Sequence, residues 1–123
     1  MSEARKPVIL IVEDEPGIVA RYRHCTNGTA DLAIVGTTEA ALLHFREGGI
    51  DAVVLHVGPR QVFSCGLFYI MRGSGFTGPF LVTSDSLTDL ALARYIGCEL
   101  HERDPAKVIP RVLALLKSIV TSV

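Results

Sequence analysis

Four short stretches carry side chains that could do chemistry, and each lies at or just after the end of a strand-like run. Glu13-Asp14 comes after Val8–Val12, and His56 comes near the end of Ala52–Val57. Thr83-Ser84 closes Phe80–Thr83, and Asp104-Pro105 follows Cys98–Glu102. Adjacent carboxylates are hard oxygen ligands suited to a divalent cation. A carboxylate pair with an imidazole, as in Glu13, Asp14 and His56, suits Mn²⁺ or Zn²⁺. The plainer reading of Glu13 and Asp14 is an acid cluster at a helix N-terminus, where the backbone dipole favours negative charge. Arg60, four residues after His56, reads as a solvated loop arginine that could lend the pocket a positive charge. Gly73 to Gly78 lacks the strand-to-helix setting of a dinucleotide loop.

The elements that must position these residues alternate strictly. Strands are expected at Val8–Val12, Ala30–Val35, Ala52–Val57, Phe80–Thr83 and Cys98–Glu102. Val8–Val12 is apolar throughout rather than alternating, as a strand buried on both faces is. Helices are expected at about Pro16–Cys25, Glu39–Glu47 with Thr38 as N-cap, Val62–Met71, and Leu87–Ile96 with Ser86 as N-cap. A fifth helix should start between Ala106 and Pro110, because proline is tolerated in a first turn and costs about 3 kcal/mol inside a helix. It should run to about Val120. Five βα units with right-handed crossovers predict a doubly wound five-stranded parallel sheet. The fold class is α/β, flavodoxin-like (βα)5, a three-layer αβα sandwich, with residues 1–123 as one domain. In such a sheet the loops after the strands converge on one edge, where ligands bind.

Composition narrows the function classes. A net charge of −1 gives no electrostatic drive toward nucleic acid. No apolar run approaches the ~18–20 residues of a membrane span. Met1–Lys6 is a short polar lead, not a signal peptide. Cys25, Cys65 and Cys98 are odd in number and form no CxxC pair, which fits a reducing cytoplasm. The mean hydropathy of +0.38 is high for a small domain. It reflects either a thick sheet core or apolar surface used by a partner.

The ordered set Val8-Ile9-Leu10-Ile11-Val12-Glu13-Asp14-Glu15-Pro16, Asp51-Ala52-Val53-Val54-Leu55, Leu81-Val82-Thr83-Ser84, Gly97-Cys98-Glu99 and Pro105 resembles the receiver domain of two-component response regulators. The resemblance covers about Val8 to Val120. It implies a phosphorelay signalling module, not an enzyme. In that family an aspartate ending the third strand accepts a phosphoryl group. Mg²⁺ is held by that aspartate and by an acidic pair after the first strand. A hydroxyl and a lysine, after the fourth and fifth strands, bond the phosphoryl oxygens. Here the acidic pair is Glu13 and Asp14, and the hydroxyl is Thr83. The acceptor position is His56, the lysine position before Pro105 is Asp104, and the family's aromatic position on the fifth strand is His101.

The resemblance therefore implies a degenerate receiver, without aspartyl phosphorylation and without a cofactor, holding Mg²⁺ weakly at best through Glu13 and Asp14. Asp104 would repel a phosphoryl group where lysine attracts it. His56 is open to three readings: a solvated imidazole, an imidazolium charged by Glu13, Asp14 and Asp104, or a phospho-acceptor. The resemblance also implies a partner face on the fourth helix, fifth strand and fifth helix. Leu87, Leu90, Arg94, His101, Lys107 and Arg111 would form it, with Val108 beside them. It would serve a homodimer or a protein partner, such as a histidine kinase or a fused output domain. Two other readings stand: a receiver switched by pH at His56 or by a metal, and a flavodoxin-like ligand-binding domain or enzyme using the same edge.

Overall fold

The computed structural model describes residues 5–57, 65–84 and 98–121. Its elements are β1 (Val8–Val12), α1 (Pro16–Thr26), β2 (Asp31–Val35), α2 (Thr38–Glu47), β3 (Ala52–His56), α3 (Cys65–Gly73), β4 (Phe80–Ser84), β5 (Glu99–Glu102) and α4 (Pro105–Thr121). The strands form one parallel sheet in the order β2-β1-β3-β4-β5, as the alternation predicts. The helix expected at about Leu87–Ile96 lies outside the described residues.

The apolar strands divide their side chains between two cores. Leu10, Val12, Val53, Leu55 and Val82 join α2 and α3 on one face, where Ala41, Leu67, Phe68 and Met71 cover them. Ile9, Ile11, Ala52, Val54 and Leu81 join Tyr22 of α1 and Val108, Ile109 and Val112 of α4 on the other. Successive strand side chains point to opposite faces. With both faces covered, every position along β3 is buried.

Local signals set the helix ends, with three departures from expectation, of which the smallest is α3, running on to Gly73 past the expected Met71. α1 opens on Pro16 and ends at Asn27, which takes the left-handed conformation at φ 43°. The α2 cap is Thr37, not Thr38. Its hydroxyl accepts from the Ala40 amide at 3.1 Å, the bond that an N-cap side chain makes three residues ahead. α4 begins at Pro105, before the expected start, and Pro110 lies inside it. Two effects outweigh the proline penalty. Pro105 fills a position whose N–H needs no partner. Asp104 secures the first turn, its carboxylate accepting from the Ala106 amide at 3.1 Å and its carbonyl from the Lys107 and Val108 amides at 2.8 Å. Ala106 and Pro110 are both exposed, so the carbonyl that Pro110 leaves without a donor lies on the wet side of the helix.

Tyr22 shows how dry the α1–α4 core is. Burial, and then the nearby Glu13 carboxylate, push its phenol far above the usual value of about 10. The folded state thus holds a proton that the unfolded state releases. The contribution is whole below pH ~10 and falls as the pH climbs from there toward the folded value. Spectrophotometric titration is expected to show one of the three tyrosines ionising only with alkaline unfolding. Ionisation of all three before any loss of helix signal would refute this.

Candidate functional site at the carboxyl edge of the sheet

The parallel sheet brings the ends of β1, β3, β4 and β5 to one edge. The Glu13 amide donates to the Val35 carbonyl at 2.9 Å, extending the β1–β2 ladder by one residue. That extension carries the Glu13 side chain inward, and its carboxylate is fully buried. A buried carboxylate needs a positive partner, because desolvation disfavours the lone charge by several kcal/mol. Arg103, directly after β5, supplies it. Its Nε donates to Glu13 Oε1 at 2.9 Å and a terminal nitrogen donates to Oε2 at 2.6 Å, the bidentate geometry of the strongest guanidinium–carboxylate pairs. The same terminal nitrogen lies 3.1 Å from Glu15, and the Glu15 amide donates to Glu13 Oε2 at 3.2 Å.

Asp104 stands before Pro105 where the resemblance implies a lysine, and Arg103 brings a cation to the edge from one residue earlier. Asp104 is also turned elsewhere. Its carboxylate takes Arg21 of α1 at 2.9 Å and caps α4. It is therefore an element of helix docking and not the phosphate-repelling group expected.

His56 ends β3 opposite Thr83 of β4. Its Nδ1 and the Thr83 hydroxyl share a hydrogen bond at 3.2 Å. His56 is only 8% exposed and Thr83 is fully buried, so the solvated-imidazole reading fails. The sheet register fixes this contact, since neighbouring strand ends point the two side chains the same way. Of the three carboxylates expected to charge His56, Glu13 is taken by Arg103 and Asp104 by Arg21. Asp14 remains, exposed at the mouth of a cleft of about 320 Å³. Glu13, Asp14, Thr37, Thr38, Glu39 and His56 supply the polar lining of this cleft, and Val12, Leu55 and Val57 the apolar part.

The expected partner face is described only in part, because Leu87, Leu90 and Arg94 lie outside the described residues, as does Arg60. His101 is half-buried on β5, and its Nδ1 donates to the Glu102 carbonyl at 2.9 Å. Lys107 bonds Glu102 at 2.8 Å. Arg111 grips Glu99 with two bonds of 2.8 and 2.6 Å. The hydrogen bond from Arg111 holds the Glu99 carboxyl below its usual range. Val108 is fully buried and packs against the sheet, so it drops out of the face. Its place one turn into α4 points it inward.

Arg103 is the residue that sequence reasoning missed. The signal was present, since a basic residue adjoins a strand end in a chain whose first strand delivers a glutamate to the same edge.

No family model and no curated protein matches the chain by sequence. Solved structures do match. The Francisella response regulator 1452 receiver domain is similar at TM-score 0.76 and 18% identity, covering 93% of this chain and 99% of that one. SdrG from Pseudomonas melonis in its BeF3-activated conformation gives 0.71 and 26%, covering 89% and 94%. The BeF3-activated N-terminal receiver domain of Klebsiella pneumoniae RstA gives 0.72 and 20%, covering 89% and 98%. The chain has the receiver-domain fold over nearly its whole length. Among the described residues no helix is long and apolar enough to cross a membrane.

Proposed function

We propose that this receiver-fold domain is a signalling module of two-component type that is not phosphorylated on aspartate and acts through protein contact rather than catalysis. One observation carries the reading. The side chain at the end of β3 is an imidazole, buried and hydrogen-bonded to Thr83, where the resemblance implies an acceptor aspartate.

The residues also do not fit Mg²⁺. That ion takes oxygen ligands in near-ideal octahedral geometry. Both Glu13 oxygens are bonded to Arg103, and β3 offers nitrogen. Among the described residues, no group of three His, Cys, Asp or Glu side chains is placed to hold a metal ion. Incubation with a small-molecule phosphodonor, with and without Mg²⁺, is expected to leave the intact mass unchanged. A phosphoryl adduct on any residue of the cleft would overturn the reading.

The partner favoured by the β5–α4 face is a second copy. Glu99 and Glu102 on the strand pair with Lys107 and Arg111 on the helix inside the chain, so the face carries both signs in balance and a second copy meets it across a two-fold axis without net repulsion. Light scattering is expected to show a reversible dimer. Arg111→Glu should weaken it roughly tenfold, since it breaks the pair with Glu99 inside each copy and leaves a like-charged cluster on both sides of the symmetric interface, at about 0.2–1 kcal/mol for each exposed pair. Adding Glu99→Arg should restore it. Self-association indifferent to both changes would place the contact elsewhere.

A further inference from the structure

We propose that the outer edge of β2 pairs with β2 of a second copy, joining the two sheets across a two-fold axis at Ala33. The contact lies at the opposite edge of the sheet from the β5–α4 face and does not depend on it. Among the described residues β2 is bonded on one side only, to β1. The Asp31 amide donates to the Pro7 carbonyl and the Val35 carbonyl accepts from the Glu13 amide, both at 2.9 Å. Backbone groups alternate in direction along a strand, so Asp31, Ala33 and Val35 turn theirs to β1. Leu32 and Ile34 turn theirs outward, where no described residue meets them.

Sheet edges are ordinarily guarded by charge, by proline or by a bulge. The β5 edge is guarded, with Glu99, His101 and Glu102 in its short run. β2 is not. After Asp31 it reads Leu32-Ala33-Ile34-Val35, with no charge and no proline, and its register with β1 is unbroken. These apolar side chains are only half-buried, whereas every position of β3 is buried. The cover of α1 and α2 stops short of the edge, and a second sheet beside it would take that apolar surface out of water.

The order of residues in β2 selects a second copy as the occupant. An antiparallel pair centred on Ala33 sets Leu32 opposite Ile34 of the second copy, and Ile34 opposite its Leu32. These residues have the outward backbone groups, so each opposed pair exchanges both N–H···O bonds. Ala33 meets its own copy on the axis as a non-hydrogen-bonded pair, where Cα atoms approach to about 4.5 Å and a methyl side chain fits. Asp31 falls beside Val35 of the second copy. The two Asp31 carboxylates then stand about 14 Å apart along the strands, where salt screens their repulsion. The axis is normal to the sheet, so Leu32 and Ile34 stay on the α1 side in both copies, and Ala33 and Val35 on the α2 side. The strand is short, which keeps the contact weak and reversible.

Amide hydrogen exchange on the native chain, read residue by residue by NMR from dilute to concentrated solution, tests the pairing. The Leu32 and Ile34 amides are expected to exchange fast when dilute and to slow by about tenfold or more as copies pair, since exchange requires an open hydrogen bond. The Ala33 and Val35 amides, turned to β1, should be slow throughout. The slowing should persist in Arg111→Glu, which weakens only the β5–α4 contact. It should vanish in Ala33→Lys, which puts like charges on the axis and adds the guard that natural edges carry. If Ala33→Lys does not fold, Ile34→Pro replaces it with Leu32 as the readout, because a proline there removes an outward donor and no bond within the sheet. Leu32 and Ile34 amides that exchange equally fast at every concentration overturn the proposal and leave the edge to a strand of another protein. Slowing that Ala33→Lys leaves intact, or that Arg111→Glu abolishes, overturns it as well. Loss of the β5–α4 dimer alone sinks only the earlier reading of that face.

Discussion

Arg103→Ala is expected to destabilise the fold by about 3–5 kcal/mol at neutral pH, the cost of leaving a buried charge without its partner. The lower half of that range is the better estimate, because Arg103 keeps 13% of its side chain exposed and water can follow it in part. The effect should be asymmetric. Glu13→Gln leaves Arg103 beside Glu15 at 3.1 Å, so the remaining charge still has a partner and the loss is smaller. Arg111→Ala is the control. Its pair with Glu99 has side chains 46% and 32% exposed, and such pairs contribute about 1 kcal/mol or less. Combining Glu13→Leu with Arg103→Met should recover most of the loss, as apolar replacement of a buried ion pair often does. Urea denaturation of the five proteins measures all of this. Equal losses for Arg103→Ala and Arg111→Ala would show that the buried pair has no special weight.

The second large effect belongs to Gly78, in the turn between α3 and β4. A Cβ there would overlap the Asp51 carbonyl oxygen and press on the Phe76 ring, 2.7 Å from its Cζ. Neither neighbour has room to yield. Asp51 is pinned, its amide donating to the Val8 carbonyl and its carboxylate accepting from the Val8 amide at 2.8 Å. The Gly78 carbonyl accepts from Arg72 at 2.8 Å, and the next carbonyl, Pro79, accepts from the Val53 amide at 2.9 Å. Phe76 stands edge-on to Phe45 with ring centres 6.1 Å apart, and the Arg72 guanidinium lies 5.4 Å from its centre. Gly78→Ala is therefore expected to cost about 3 kcal/mol, the upper end for overpacking, because backbone as well as side chain must shift. Gly73→Ala, at the end of α3, meets nothing within 4 Å and should be neutral or slightly stabilising. Thermal denaturation separates the two. A Gly78→Ala protein as stable as the Gly73→Ala one would mean that the turn is free to rearrange.

Both effects arise from contacts between distant parts of the chain, and they mark the boundary of what could be read from residue order. The doubly wound sheet was legible because its signals are local. Unbroken apolar runs such as Val8–Val12 and Ala52–Leu55 require cover on both faces, and alternation with helical stretches supplies that cover. The convergence of Glu13, His56 and Thr83 on one edge follows from parallel strands alone. Helix ends were legible to within a residue or so, since capping is a matter of neighbours. Thr37 and Thr38 are both competent caps, and only the backbone conformation of Thr37 decides between them. α4 began earlier than expected because the capping bonds of Asp104 depend on geometry that proline counting does not register.

What the chain order could not settle is which charge meets which. A carboxylate after a strand reads alike whether it faces water, a metal ion or an arginine. Glu13 and Arg103 become partners only when β3 and β4 lie between β1 and β5 and the side chain after β5 reaches back across the edge. Asp104, one residue further on, falls to Arg21 because α1 and α4 pack on the same face. Residue order determined the sheet and named the residues at its edge. Tertiary structure decided which of them are buried, and burial makes the choice of partner consequential. An exposed acid can be satisfied by solvent, whereas Glu13, with its carboxylate fully buried, must be matched by a charge that the fold brings to it.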